Sequence, residues 1–405
     1  AKSNRWIAGV KMKGNGKNLR GVLKTTKAEA IVIAIPRATS SLFQKVDRVA
    51  TELGIEVLAM PSLSEMMQSP GSGTRFQSLG IEDLVGRRAV DTDVSSIGTY
   101  LSGKRVLITG AGGSIGVELC RQVAKFSPAE LIFLDRDETG LQTAQLATSN
   151  SGLLDTSDFV LADIREAELI LHTFSEKRPQ VVFHAAALKH LPVLERFPLE
   201  AWKTNVLGTL NVLLAAEAVG VETFINVSTD KASGPSSILG KSKHFAEQLT
   251  AWFSTKNRGK YVSVRFGNVL GSRGSLIPTL SHQIREGGPV TITDPEATRY
   301  FMTIPEACQL VLQAGAMGQG KEIFVLDMGN PVKILDVANN MIRLARKKVE
   351  IVFTGLREGE KLHEEVHSAN DILRDSGHPL IYRIDSQPLD PRKLSKLFES
   401  FLSSD

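Results

Sequence analysis

At 405 residues the chain is long for one hydrophobic core, so its length predicts at least two domains. A net charge of +4, scattered along the chain, leaves no nucleic-acid footprint and reads as an ordinary solubility device. The two cysteines, Cys120 and Cys308, follow neither a disulfide nor a metal-ligand spacing, which predicts reduced core thiols, no metal centre and a cytosolic setting.

No window approaches the roughly 20 apolar residues of a membrane helix, and no signal peptide opens the chain. The opening AKSNRWIAGVKMKGN lacks Met and reads as the middle of a domain. The run AIVIAI at 30–35 is rich in β-branched residues and predicts a strand buried on both faces. Leu42, Val46, Val49 and Leu53 then recur at helical spacing, and IEVLAM at 55–60 supplies a second strand. This alternation predicts a partial α/β domain over 1–80, its last element ending near Met67. QSPGSGTRFQSLG at 68–80 is rich in Gly, Ser and Pro and reads as an exposed loop, with a linker over 81–102.

A second α/β series begins at KRVLITGAGGSIG. ELIFLD, DFVLAD, QVVFHAA, TFINVS and YVSVRFG follow as strands separated by helical stretches, the rhythm of a doubly wound parallel sheet over 103–286. PVTITD, EIFVLDM and VEIVFTG come in a looser order and predict a smaller lobe over 287–385, interleaved with the sheet and closing over its ligand edge, before a C-terminal tail or helix over 386–405. Gly110, Gly113 and Gly116 stand between an apolar strand and a helix, where glycines let the backbone approach a pyrophosphate held by the helix N-terminus. Asp135 closes the next strand at the right distance to bind an adenosine ribose and favours NAD, whereas Arg136 would suit the 2′-phosphate of NADP. Asp163, ending FVLAD, is placed near the adenine or caps its strand, and HAAALKH supplies small residues for close backbone passage. His184 and His190 read as packing or hydrogen-bonding residues, since no second ligand pair accompanies them.

Thr229, Asp230 and Lys231 follow TFINVS at the carboxyl edge, where ligands of such sheets bind. Asn268, Arg273 and Ser275 in GNVLGSRGSLIP, Arg299 in TRYFMT, and Arg357 and Glu360 in LREGEKLHEE predict a diphosphate ligand, because guanidinium forks suit phosphates and carboxylates accept from ribose hydroxyls.

The ordered set TGAGGSIG, HAAALKHLPVLE, TNVLGTLNV, VSTDKA, LGKSK, VRFGNVLGSRGS, TRYFMTIPEA and LREGEKLHEE resembles the bacterial UDP-N-acetylglucosamine 4,6-dehydratases of the polysaccharide-biosynthesis family, which are extended short-chain dehydrogenase/reductases. The resemblance runs from about residue 1 to 385 and is specific. It implies an NAD-dependent hydro-lyase that converts a UDP-sugar to a 4-keto-6-deoxy product for surface glycans, with C5 configuration retained. Lys231 would be the C5 base, Asp230 the C6 acid and Thr229 the partner of the C4 hydroxyl, while Lys243 would hold the nicotinamide ribose. Ser114, Ile115, Ile164, Ala185 and Ala186 would join the cofactor-binding residues, Lys189 the sugar-nucleotide residues, Arg357 the pyrophosphate and Glu360 the uridine ribose. The base must be neutral and the acid protonated, and the like charge of Lys243 is expected to oppose protonation of Lys231. Long family members carry membrane helices ahead of this region, which implies an inner-membrane anchor with this portion in the cytoplasm, and the family's helix pairing implies a homo-oligomer.

One departure leaves two other readings open. Short-chain dehydrogenases carry Tyr-x-x-x-Lys, and in front of Lys243 the tyrosine's place is held by Leu239. A C4 epimerase would share fold and cofactor but uses that tyrosine, and Leu239 also leaves open a catalytically silent nucleotide-sugar sensor.

Overall fold

Val106, Leu107, Ile108 and Thr109 are all fully buried, so the strand Arg105–Thr109 (β1) lacks the alternation of a half-exposed strand. Continuous burial needs apolar cover on both faces, which parallel sheets obtain from their crossover helices. Strands β2 (Glu130–Asp135), β3 (Phe159–Leu161), β4 (Val181–His184), β5 (Thr223–Thr229), β6 (Lys260–Phe266) and β7 (Glu322–Leu326) join β1 in a parallel array. An antiparallel edge of β8 (Arg374–His378) and β9 (Ile381–Asp385) completes the nine-stranded order β8-β9-β7-β6-β5-β4-β1-β2-β3. The order reverses between β1 and β4, and the carboxyl ends of these two strands border the crevice where ligands of such sheets bind.

This is a computed structural model that describes residues 6–7, 10–13, 18–35, 40–60, 77–78, 90, 92–149, 152–154, 156–256, 258–368 and 371–402. The chain forms two compact units, 1–89 and 90–405. In the first, parallel strands Ala30–Ile33 and Glu56–Ala59 pair with Ile31 opposite Val57, and Gln77–Ser78 adds an antiparallel strand. Helix Ser40–Leu53 lies where the apolar spacing placed it. The strand Ala30–Ile33 is not covered on both faces, however: only Ile33 is buried, and Val32 is 40% exposed. The expected end near Met67 falls outside the described residues, as does the loop 68–80 apart from Gln77–Ser78.

In the second unit, helices α1 (Val94–Leu101), α2 (Ser114–Val123) and, later in the chain, α4 (Ile304–Met317) cover one face of the sheet, with Ile97, Leu119 and Leu310 in a common core with Ile108. Helices Ala167–Lys177, Thr209–Val219 and α3 (Ile238–Lys256) cover the other, burying Phe174, Leu213 and Leu249 against Leu107 and Phe224. Helix α1 lies within the stretch expected as a linker, yet Asp93 caps it by accepting from the Ser96 amide and Leu101 is fully buried. The run EIFVL, expected in the smaller lobe, is instead β7 of the main sheet. It pairs parallel with β6, reached through α4 in a β-α-β crossover of the kind that parallel neighbours require.

Three short strand pairs shape the rest of the substrate-side segment: Asn268–Leu270 with Phe301–Thr303, Val290–Ile292 with Ile351–Phe353, and Thr298–Arg299 with Val332–Lys333. The tail ends in a helix, Leu394–Leu402, whose Phe398 and Phe401 rings pack 5.1 and 5.0 Å from that of Trp202. Among the described residues no helix is long and apolar enough to cross a membrane.

The burial of α1 is testable. Leu101→Ala removes a fully buried side chain and should lower the unfolding free energy of the unit by about 2–5 kcal/mol, read by denaturant titration. A loss under about 0.5 kcal/mol, the level of a surface change, would mean that α1 contributes no core.

Candidate active site

The chain leaves β1 through Gly110 at φ +69°, a left-handed conformation that favours glycine, and enters α2 at Ser114. A Cβ on Gly110 would lie 2.6 Å from the Ala186 amide nitrogen, and one on Gly116 would lie 2.0 Å from the Gly110 carbonyl oxygen. No side chain fits either place. Gly113 is less tight, with the nearest atom at 3.1 Å. Gly112, which sequence reasoning passed over, is as constrained as Gly110: a Cβ would meet Gly140 at 2.5 Å, and its amide donates to Asp135 Oδ2 at 2.8 Å. Asp135 Oδ1 accepts from the Asp137 amide at 3.0 Å, so the carboxylate is pinned at both oxygens.

Gly110, Gly113, Asp135 and Arg136 line a cleft that Asp163, Ile164, Ala185 and Ala186 also border. Ser114, Ile115 and Gly116 form the first turn of α2 behind it. A glycine turn without room for side chains, a helix N-terminus and a fixed carboxylate suit a dinucleotide. Asp163 is held by Arg165, which donates at 2.6 and 2.8 Å, and Arg136 lies 3.5 Å away. Burial pushes the Asp163 carboxyl up, but the Arg165 hydrogen bonds outweigh it and hold the group below its usual range.

Behind the cleft runs a chain of buried hydrogen bonds with a fixed direction. Thr209 Oγ1 donates to the Asn205 carbonyl at 2.7 Å, so it accepts from His184 Nε2 at 2.9 Å, and His184 Nδ1 accepts from Thr109 Oγ1 at 2.8 Å. Burial pushes the His184 pKa down to about 3, with the Lys243 charge adding to the effect, so the ring is a neutral strut. Asn205 sits on a π-turn, Trp202–Gly208, and its side chain accepts from the Leu188 amide at 2.8 Å and donates to the Leu188 carbonyl at 3.0 Å, fixing the loop after β4.

At the end of β5, Thr229 Oγ1 donates to Asp230 Oδ1 at 2.8 Å and Lys231 Nζ donates to the same oxygen at 3.0 Å. Asp230 is 1% exposed, and among the described residues its Oδ2 has no hydrogen-bond partner. Such an oxygen is costly to bury and is ready for a ligand's donor. Lys231 Nζ also donates to Asn268 Oδ1 at 3.3 Å and lies 3.4 Å from Glu364 Oε1. Burial alone would lower the Lys231 pKa, but the carboxylates of Asp230 and Glu364 outweigh it and raise it above the ordinary lysine value. The cation that opposes protonation of Lys231 is Arg299, where Lys243 was expected.

Glu364 is the residue that sequence reasoning missed. It lies within the quoted run LREGEKLHEE, but a glutamate in a charged loop gives no sign of burial, and Glu364 is 6% exposed. Arg299, expected to face a diphosphate, is occupied within the protein. It donates to Glu360 Oε1 at 2.8 Å and to the carbonyls of Thr298 and Leu362 at 2.8 and 3.1 Å, with Nε 3.8 Å from Glu364. Arg273 parts from that group too: it donates to the Gly112 carbonyl and through its amide to Ser114 Oγ at 3.1 Å, which places it on the glycine turn. Lys189 approaches Ser272 Oγ at 3.4 Å, and the Ser275 Oγ is buried with no partner among the described residues. Arg357 is exposed, and its amide donates to Glu360 Oε2 at 3.3 Å.

Leu239, Lys243 and Glu247 recur four residues apart on α3 and so share a face. Leu239 is 5% exposed and belongs to the apolar core. Lys243 Nζ donates to the Val227 carbonyl at 2.7 Å, and Glu247 accepts from Ser228 Oγ at 2.6 Å and from Arg265 twice at 2.7 Å. Burial lowers the Lys243 pKa to about 8, against the pull of Glu247. The unfolded chain keeps its proton up to the ordinary value of 10.5. Between those values the unfolded state binds more protons, so Lys243 makes stability rise with pH. Over that window the wild type should gain about 3 kcal/mol relative to Lys243→Met in denaturant titrations, and parallel curves would show that the ammonium is not desolvated.

A family model described as polysaccharide biosynthesis protein matches residues 106–386. The capsular polysaccharide biosynthesis protein CapD of Staphylococcus aureus is 43% identical over 380 residues, covering 92% of this chain but 63% of CapD, so the chain spans less than two thirds of that relative. A UDP-glucose 4-epimerase of Rickettsia prowazekii is 36% identical over 303 residues, 72% of this chain and 85% of the epimerase. Among solved structures, Pen from Bacillus thuringiensis shares the fold with a TM-score of 0.65 at 28% identity, over 74% of this chain and 99% of Pen. With its motifs, its sheet and these matches, the chain belongs to the polysaccharide biosynthesis protein family.

Proposed function

We propose that the chain carries a nucleotide-sugar 4,6-dehydratase, converting UDP-N-acetylglucosamine to a UDP-4-keto-6-deoxy-N-acetylhexosamine for a surface glycan, with NAD as the recycled cofactor. The observation that supports this most is the turn after β5, where an acid and a base, Asp230 and Lys231, hydrogen-bond each other at 3.0 Å beside a threonine hydroxyl. That turn lies at the carboxyl edge of the sheet that also bears the glycine cradle.

The glycine turn and Asp135 would hold the dinucleotide, and Lys243 its nicotinamide ribose. When bound, the cofactor supplies reversible storage of the two electrons removed at sugar C4. Thr229 accepts a hydrogen bond from the C4 hydroxyl and relays its proton to solvent as the two electrons leave C4. Once C4 is a ketone, the C5 proton is acidic; Lys231 takes it and Asp230 gives a proton to the departing C6 hydroxyl, which leaves as water. The charged pair of the resting site differs from this reactive pair by one proton moved along the 3.0 Å contact. The two stored electrons would return to C6 as hydride while Lys231 returns a proton to C5 from the face it was taken from, which retains configuration, and a solvent proton then restores the Asp230–Lys231 pair. Arg357 and Glu360 are assigned to the diphosphate and the uridine ribose.

The epimerase relative favours a second reading, a C4 epimerase. The buried leucine at 239 weighs against it, because that class relies on a tyrosine there. Incubation with UDP-N-acetylglucosamine separates the two by product mass: a loss of one water for the dehydratase, an unchanged mass with a new isomer for the epimerase. Asp230→Asn and Lys231→Met should each lower dehydration by about 10²–10⁴-fold with little change in substrate affinity. In deuterated water the lysine variant should lose C5 exchange, and exchange at the wild-type rate would place the base elsewhere.

A further inference from the structure

We infer that Glu364 is a positioning residue that clamps the Lys231 ammonium and joins the catalytic turn to the nucleotide-side loop. The inference deepens the dehydratase reading and rests on it for the role of Lys231. Its basis is geometric. Lys231 Nζ is held from three elements: by Asp230 on its own turn at 3.0 Å, by Asn268 after β6 at 3.3 Å, and by Glu364 in the loop 354–365 at 3.4 Å. Asp230 and Asn268 fix the amine along the turn and the sheet edge, and Glu364 supplies the contact from the loop. With 3% of its side chain exposed, Glu364 is a carboxylate shielded from water, and its charge is matched by Lys231 and by Arg299 Nε at 3.8 Å. Arg299 carries the network on to Glu360 at 2.8 Å, the residue assigned to the ribose.

Three further hydrogen bonds tie the same loop to the segment that follows the turn. Lys361 Nζ donates to the carbonyls of Gly234 at 2.9 Å and Ser233 at 3.3 Å, and Ser236 Oγ donates to the Gly359 carbonyl at 3.4 Å. The charged groups around Lys231 are therefore Asp230 and Glu364 on the attractive side and Arg299 on the repulsive side, with Glu360 acting through Arg299. Removing the Glu364 charge leaves Lys231 one carboxylate, Asp230, against the Arg299 guanidinium, which keeps Glu360, so its proton is held less tightly and its amine less well placed.

Competitive labelling of the native protein with acetic anhydride across pH, read on the Lys231 peptide by mass spectrometry, measures that proton without any turnover. In Glu364→Gln the Lys231 titration should move down by about one to three pH units, the range expected for loss of an opposite charge within hydrogen-bonding reach. Glu364→Asp, which keeps the charge, should bring most of it back and guards against a folding failure of the amide variant. The exposed neighbour's variant Glu365→Gln should not move it. With UDP-N-acetylglucosamine, the higher-pH transition of the kcat profile should shift with the label while KM stays within a few-fold. An unchanged Lys231 titration in Glu364→Gln overturns the inference even if dehydration proceeds. A shifted titration in a protein that releases no water upholds the clamp and overturns the dehydratase reading instead.

Discussion

The backbone of Gly110 passes so close to that of Ala186 that not even a methyl group fits between them, and the candidate site is arranged around that approach. It occurs where the sheet order reverses, between β1 and β4. The same turn then starts α2, so amides with no helical partner end up at the mouth of the crevice. Asn205 and the neutral His184 strut hold the opposite wall, which would otherwise be a free loop. A larger residue at Gly110 would separate the strand ends that border the crevice.

The second organising feature is electrostatic. Two cations, Lys231 and Arg299, and three carboxylates, Asp230, Glu360 and Glu364, lie within one chain of contacts. Charges withdrawn from water are tolerated only when paired, and here the pairing is nearly complete. Arg299 spends its donors on Glu360 and two carbonyls, so its part is to shape the loop. Arg357 is exposed, and in the proposed reaction its guanidinium would be the one to meet the diphosphate.

Most of the sheet could be read from the chain because its strands are short apolar runs punctuated by glycine and by helical spacing. The glycine turn and the Thr229-Asp230-Lys231 triplet were visible for the same reason: their constraints are local. What was not visible depends on tertiary placement. EIFVL has the same composition whether it pairs in a lobe or beside β6, and only the crossover through α4 decides. RDSGH, the strand β8, is polar and edge-exposed and lacks an apolar signal altogether. The burial of Glu364, the internal use of Arg299 and the move of Arg273 to the glycine turn arise from residues far apart in sequence. Likewise the exposure of Val32 has no mark in the sequence, since β-branched composition does not say how many faces of a strand are covered.

Trp202 begins the π-turn that carries Asn205, and its indole is packed between Phe245 of α3 and two phenylalanines of the last helix. The final residues of the described chain are therefore mechanically in series with the loop after β4: Phe398 and Phe401 brace Trp202, the π-turn aims Asn205, and Asn205 grips Leu188 at both its amide and its carbonyl. A load applied to this helix would therefore be passed on to the wall of the cleft beside the glycine turn.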